Sequence, residues 1–319
     1  MRSGRNGMPA PGQPPPARPQ PPAPAYAALA SMPLLFGLSF AATKFALRGF
    51  QPLQLAMLRF VLAGAVMGLA WRLRPGRERI SRADLRRMAL LGFISLTVYF
   101  SFETTGIART SASAASILIA TIPIFVSVLS AAVLKERNSG GQWAGVTVSF
   151  GGVVALVVLG GGHGGVSLLG NLLVLCAALS AAVYQILARR FLLERSALYL
   201  TAFMNLFGAL FMAPLAVLEA ALLGVRQPTP AAGLGLAYLV VFCSMAGYLL
   251  LNFGLRHVEA SRASTFVNLT PVVAVAGAFV LLGERFTLWQ GLAAGVVIVG
   301  VWLANRRGVA ARSVGIVEG

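Results

Sequence analysis

Ala112-Ser113-Ala114-Ala115-Ser116, followed by Pro123 and Glu136-Arg137, returns 148 residues later as Ala260-Ser261-Arg262-Ala263-Ser264, followed by Pro271 and Glu284-Arg285. In both copies the proline stands seven residues past the last serine, and the Glu-Arg pair begins thirteen past the proline. A chain that matches itself at a fixed offset is an internal duplication. Five apolar runs of membrane length separate the copies. An odd number of crossings makes the second copy enter the bilayer from the opposite face, the inverted-topology repeat from which many secondary transporters are built.

The composition agrees with a membrane setting. Of 319 residues, 57% are apolar and only 11% charged, and the mean hydropathy is +0.79. Runs of about 20 apolar residues, the length a helix needs to cross the hydrocarbon, recur along the chain. The expected fold is an all-α polytopic membrane protein with ten transmembrane helices as two inverted five-helix repeats. The spans fall at 26–47, 52–71, 88–107, 111–134, 142–159, 168–188, 198–222, 232–254, 261–283 and 288–304. Residues 1–25 form a Pro-rich, disordered leader without the pattern of a cleaved signal. Residues 26–160 form the first repeat, 161–305 the second, and 306–319 a short tail.

The net charge of +17 points to nucleic acid only until the charges are placed. With the N-terminus in the cytoplasm, 20 of the 26 Lys and Arg fall in inner segments, and only Arg48, Arg109, Arg226 and Arg285 fall outside. That bias in short loops sets both termini inside and removes the nucleic-acid reading. Lys44 and Arg59 fall within spans. Cys176 and Cys243 both sit in spans, which argues for packing rather than a disulfide or a metal site. The glycine run from Gly160 to Gly165 lacks the strand, helix and Lys-Ser/Thr of a phosphate loop and reads as a hinge between halves, with His163 solvated.

Pro123 and Pro271 stand near the middles of spans 4 and 9. Each removes an amide donor and kinks its helix, freeing carbonyls that survive in lipid only when they face protein or a wet cavity. Helical spacing gathers Ser113, Ser116, Ala120, Pro123 and Ser127 on one face, and Ser261, Ser264, Asn268 and Pro271 on its counterpart. These small and polar faces suit either a substrate pathway or close helix packing. Asn268 is the stronger site candidate, since an amide in hydrocarbon needs partners.

Glu103 is the one acid read clearly inside a span. At ~1.5 Å per residue it lies at a depth similar to Lys44 and Arg59, so the three are expected to share one polar cluster. Its surplus positive charge suits a substrate carboxylate or phosphate; alternatively Glu103 carries a proton or cation. Lys44 snorkelling to the interface and Arg59 pinning span 2 are the structural alternatives. Tyr99, Tyr184, Gln185, Asn205, Tyr248 and Asn252 complete the expected cavity. Glu136 and Glu284 read as interfacial anchors or repeat-closing contacts. Gly64/Gly68, Gly141/Gly145 and Gly291/Gly295 have the spacing of close helix contacts, and spans 5 and 10 are expected as a scaffold or homodimer face.

The segment Phe102-Glu103-Thr104-Thr105-Gly106 running to Thr110-Ser111-Ala112, with Ala115-Ser116, Pro123-Ile124 and Glu136, resembles the EamA family of the drug/metabolite transporter superfamily. So does its second copy, from Gly254-Leu255 through Ala260, Ser264 and Pro271 to Gly283-Glu284. Pro52 with Arg59, and Gly170-Asn171 with Arg189-Arg190, fit the same pattern. The resemblance spans about residues 30–305 and implies ten helices in two inverted halves. It also implies a central cavity from spans 1, 3, 4, 6, 8 and 9, and transport of small metabolites, often amino-acid export across a bacterial inner membrane. Phe36-Gly37 and Tyr184 depart from the tryptophans common at those positions, which changes the cavity lining. The expectation is therefore a gradient-driven, alternating-access transporter with a small-molecule substrate, a coupling proton or cation, no cofactor, no metal and no nucleic-acid partner. Efflux of lipophilic cations is the alternative, with a membrane-embedded enzyme or a non-transporting scaffold more remote.

Overall fold

The computed structural model describes residues 23–134, 140–160, 167–284 and 287–305, and every regular element among them is helical. The first half runs α1 (Ala23–Ala46), α2 (Pro52–Leu73), α3 (Arg82–Gly92), α4 (Tyr99–Arg109), α5 (Ala112–Ile119), α6 (Ile122–Leu134) and α7 (Gly140–Gly160). The second runs α8 (Leu168–Leu192), α9 (Ala197–Leu223), α10 (Pro230–Tyr238), α11 (Tyr248–His257), α12 (Ala260–Ser264), α13 (Thr270–Gly277) and α14 (Leu288–Asn305). α1 starts inside the expected leader, at Ala23. Glu136, Arg137, Arg285, His163 and most of the glycine run lie outside the described residues.

Among the described residues seven helices are long and apolar enough to cross a membrane: Ala23–Ala46, Pro52–Leu73, Arg82–Arg109, Ala112–Leu129, Leu168–Leu192, Ala197–Leu223 and Pro230–His257. Three further apolar stretches accompany them, Trp143–Ala155 within α7, Phe266–Leu282 across the second break and Gly291–Leu303 within α14. The chain is a multi-pass membrane protein.

The two prolines break their helices just upstream of themselves. Pro123 has no N–H for the carbonyl of Ile119, so α5 stops there. The chain passes through Ala120 and Thr121, where the Thr121 amide and hydroxyl both turn back to the Leu118 carbonyl at 3.1 and 2.6 Å. In the second copy a 3-10 segment, Thr265–Leu269, precedes Pro271, which sits in the first turn of α13. A feature without a sequence signal joins these breaks: π-helical turns at Phe93–Val98, between α3 and α4, and at Leu239–Gly247, between α10 and α11. The 148-residue offset carries the first onto 241–246, inside the second.

The broken helices lie side by side and antiparallel. α5 packs on α13 and α6 on α12, so the start of the first copy meets the end of the second. Around this centre α2 packs along α9, α4 along α8, and α1 along α13, while α7 pairs with α14. The last pair meets through a glycine: a side chain at Gly300 would run into the Ser149 backbone. The expected glycine spacing is used only in part. A Cβ at Gly64 would stand 3.1 Å from the Leu206 amide of α9, a contact within one chain, whereas Gly291 and Gly295 have no atom within 4 Å of that position.

Gly300→Val is therefore expected to destabilise the protein by about 1–3 kcal/mol, the usual range for overpacking a filled contact. Gly291→Val should leave the thermal midpoint in detergent unchanged, and equal midpoints for the two variants would contradict this account of the α7–α14 contact.

Candidate functional site

Where the breaks and π turns meet, helices α1, α2, α4, α8 and α11 leave a cavity of about 80 Å³. Helical periodicity explains its walls: Ser95, Tyr99 and Glu103 follow at steps of four through the π turn and α4, so they share one face. Ile119 and Ile122 flank the first break, and Val267 and Thr270 flank the second; all four line the cavity. The prolines themselves do not line it. They position the residues that do.

Three polar groups face this space with few partners. Arg59 is 2% exposed; its Nε donates to Ser244 Oγ at 3.0 Å, and its guanidinium carbon stands 4.4 Å from the Phe100 ring centre, a cation–π distance. Glu103 is 5% exposed and accepts a 3.4 Å hydrogen bond from the Thr104 hydroxyl. Among the described residues the two form no ion pair. Gln185 is 3% exposed, and its Oε1 is buried with no hydrogen-bond partner. Phe36, Phe40, Tyr99, Phe100, Tyr184 and Tyr248 supply an aromatic wall.

A second layer holds that wall in place. The Tyr184 hydroxyl donates to Asn252 Oδ1 at 2.5 Å, and Asn252 Nδ2 donates to Thr201 Oγ1 at 2.9 Å, tying α8, α11 and α9. The Ser95 and Tyr248 hydroxyls pair at 3.2 Å across the π turn.

The expected three-charge cluster is corrected by this geometry. Arg59 and Glu103 share the cavity, but Lys44 opens into a different pocket with Arg48, Arg109, Arg226 and Glu219. The depth estimate fixed its height along α1; its long stem and the face of the helix it leaves from decide where the ammonium goes. Ser116 is buried and donates to the Ser113 carbonyl at 2.7 Å, a local bond rather than a cavity contact. Asn268 and Asn252 do not line the cavity; Asn252 stands behind it, and Asn268 Oδ1 is buried without a partner.

Sequence reasoning also missed Glu219. It is a second acid inside a membrane-length helix, and its Oε2 accepts the Leu53 and Gln54 amides at 2.9 and 3.0 Å. Its apolar context, Val217-Leu218-Glu219-Ala220, was the available signal. Glu284 acts in the same way, accepting from the Ala112 amide and from the Ser113 amide and hydroxyl at 2.8–3.1 Å. Among the described residues no group of three or more His, Cys, Asp or Glu could hold a metal ion.

The cavity straddles the duplication. The 148-residue offset relates Phe36 to Tyr184, Phe100 to Tyr248, Ile119 to Val267 and Ile122 to Thr270, and all eight line it. The charges break this relation: Glu103 corresponds to Leu251, and Arg59 to Phe207.

A duplicated helical bundle with a polar cavity at broken helices is the architecture of a membrane transporter. The chain belongs to the EamA-like transporter family, whose model matches residues 23–158 and again 168–306. It is 31% identical over 290 residues to the uncharacterized transporter YcxC of Bacillus subtilis, covering 88% of this chain and 93% of that one. It is 29% identical to an uncharacterized transporter of Archaeoglobus fulgidus, covering 88% and 99%. It is also 29% identical to a protein of Streptantibioticus cattleyicolor named a probable terminal-alkyne amino-acid exporter, covering 88% and 93%. A solved crystal structure 20% identical to this chain superposes with a TM-score of 0.66 over 88% of this chain and 97% of that one, a likeness of fold. The family and these relatives are transporters, not enzymes.

Tyr184→Phe should remove the bond to Asn252 and leave a buried amide oxygen without a donor, a loss of about 1–3 kcal/mol. A thermal midpoint in detergent equal to that of the unsubstituted protein would show that the pair does not hold α8 to α11.

Proposed function

We propose that this chain is a secondary transporter of a bacterial inner membrane that exports small zwitterionic metabolites such as amino acids by alternating access. The observation that carries the reading is the pair of opposite charges, Arg59 and Glu103, buried in one cavity without pairing to each other. Burying an unpaired charge is costly, so such groups persist where a ligand completes them. A zwitterion supplies both partners: its carboxylate to Arg59 and its ammonium to Glu103, with the Gln185 amide free to take a further polar group. When substrate leaves, Glu103 takes a coupling proton or cation in place of the ammonium.

The topology in this reading is ten crossings with both termini in the cytoplasm. The antiparallel packing of the two copies, and the gathering of basic residues on one side, support it. α7 (Gly140–Gly160) and α14 (Leu288–Asn305), of 21 and 18 residues, supply crossings of their own. The broken segments beside Pro123 and Pro271 are the natural hinges, since they already lack continuous helix bonding. A gradient of substrate or ion supplies the drive. The name of the Streptantibioticus relative supports an amino-acid-like substrate. The aromatic wall with one carboxylate favours a second reading, efflux of lipophilic cations, against which Arg59 argues.

Counterflow of a labelled amino-acid panel into proteoliposomes tests this. One amino acid should exchange, and both Glu103→Gln and Arg59→Gln should reduce that exchange by about tenfold or more, the equivalent of one lost charge-assisted bond. Exchange of an aromatic cation instead, blocked by Glu103→Gln but not by Arg59→Gln, would replace the amino-acid reading with the second one.

A further inference from the structure

A second charged pocket, separate from the cavity, lies at the far ends of α1 and α4. It is open, with about 1000 Å³ of unfilled space, and is lined by Lys44, Arg48, Arg109, Arg226 and Glu219 among others. The three arginines come from three separate places, Arg48 after α1, Arg109 at the last residue of α4 and Arg226 after α9. In the topology proposed above these places lie in or beside outer loops, which membrane proteins keep poor in Lys and Arg. Three of the four outer arginines in the chain converge here.

Their existing partners do not neutralise them. Arg109 Nη1 donates to the Thr105 carbonyl at 3.1 Å, Arg226 Nη1 to the Leu47 carbonyl at 2.6 Å, and Arg48 stacks 4.7 Å from the Phe45 ring centre. Among the described residues no ion pair involves any of the four cations. The one carboxylate, Glu219, is engaged through Oε2 by the first amides of α2. Four cations face Glu219 in the pocket and Glu284 within electrostatic reach of Lys44, which leaves a surplus of two positive charges. Guanidinium groups with free N–H edges bind planar or tetrahedral oxyanions best.

The pocket also lies in line with the cavity. Lys44 is one helical turn beyond Phe40 on α1, and Thr105 and Arg109 follow Glu103 on α4. The geometry points to an oxyanion site at the outer mouth, which takes the carboxylate or phosphate group of a small solute passing to or from the central cavity. This rests on the transport reading for its topology and its place on the pathway, while the binding itself is measured without transport.

The experiment uses the full chain in nanodiscs of zwitterionic phosphatidylcholine, with labelled inorganic phosphate and acetate as probes at constant ionic strength. Saturable binding of phosphate, displaced by acetate, is expected. Arg109→Gln with Arg226→Gln should weaken it by about tenfold or more. Arg48→Gln, which breaks no backbone hydrogen bond and so spares the fold, should weaken it in the same direction. The distant Arg190→Gln should leave it unchanged. Added phosphatidylglycerol should not compete; competition would overturn the solute assignment in favour of a lipid headgroup. No saturable binding, or equal binding by the arginine variants, would overturn the site altogether. Phosphate binding without any counterflow would instead count against the proposed function alone.

Discussion

In hydrocarbon a backbone amide or carbonyl has no water to fall back on, and each place where a helix starts, stops or breaks must find a partner within the protein. This chain meets that demand with charged side chains from far along the sequence. Glu284 receives the first amides of α5, 172 and 171 residues away, and Glu219 receives those of α2, 166 and 165 away. Glu78 receives the Ser196 amide at the start of α9. At the opposite pole of a helix, Arg189 donates to the carbonyls of Leu255 and Val258 at the end of α11. Each sign matches the end of the helix dipole it meets. These groups therefore do two things at once: they satisfy a helix terminus and staple it to another helix, in a protein whose apolar faces give helices little reason to prefer each other over lipid.

That pattern separates structural charges from those that face the cavity. Glu219 and Glu284 are each engaged by helix-end amides. Glu103 is reached by the Thr104 hydroxyl at 3.4 Å and by the Tyr99 hydroxyl, Arg59 has one nitrogen engaged by Ser244, and the Gln185 oxygen has nothing. The same physics that requires partners for a helix end makes these three expensive as they stand. A bound solute with complementary groups removes the expense, so the cavity is defined by unmet hydrogen bonding as much as by shape.

Much of this was legible before any coordinates. The offset between Ala112–Ser116 and Ala260–Ser264 marks the duplication, hydropathy marks the helices, and the missing N–H of Pro123 and Pro271 marks the breaks. What could not be read has physical causes. A π turn needs only one extra residue in a helix, and Phe93–Val98 has the same composition as its α-helical surroundings. Lys44 could be assigned a depth but not a direction, since four flexible methylenes let its ammonium leave the helix toward either neighbour. Glu219 stood near a span end, where an acid is ordinarily solvated, and nothing local showed that the amides of Leu53 and Gln54 would come to meet it.

The duplication also explains why the cavity is where it is and why it is not symmetric. Two copies packed antiparallel bring equivalent residues together, so Phe36 with Tyr184 and Phe100 with Tyr248 line one cavity from the same positions, the Phe100 and Tyr248 ring centres 6.4 Å apart. A fully symmetric site would present like charges to each other, two carboxylates at the positions of Glu103 and Leu251, and like charges in a low-dielectric cavity repel. Leu251 and Phe207 remove that conflict by making one copy apolar where the other is charged. The shape of the cavity is thus a property of the repeat, and its charge is a property of the first copy alone, which gives a dipolar solute one orientation in which to sit.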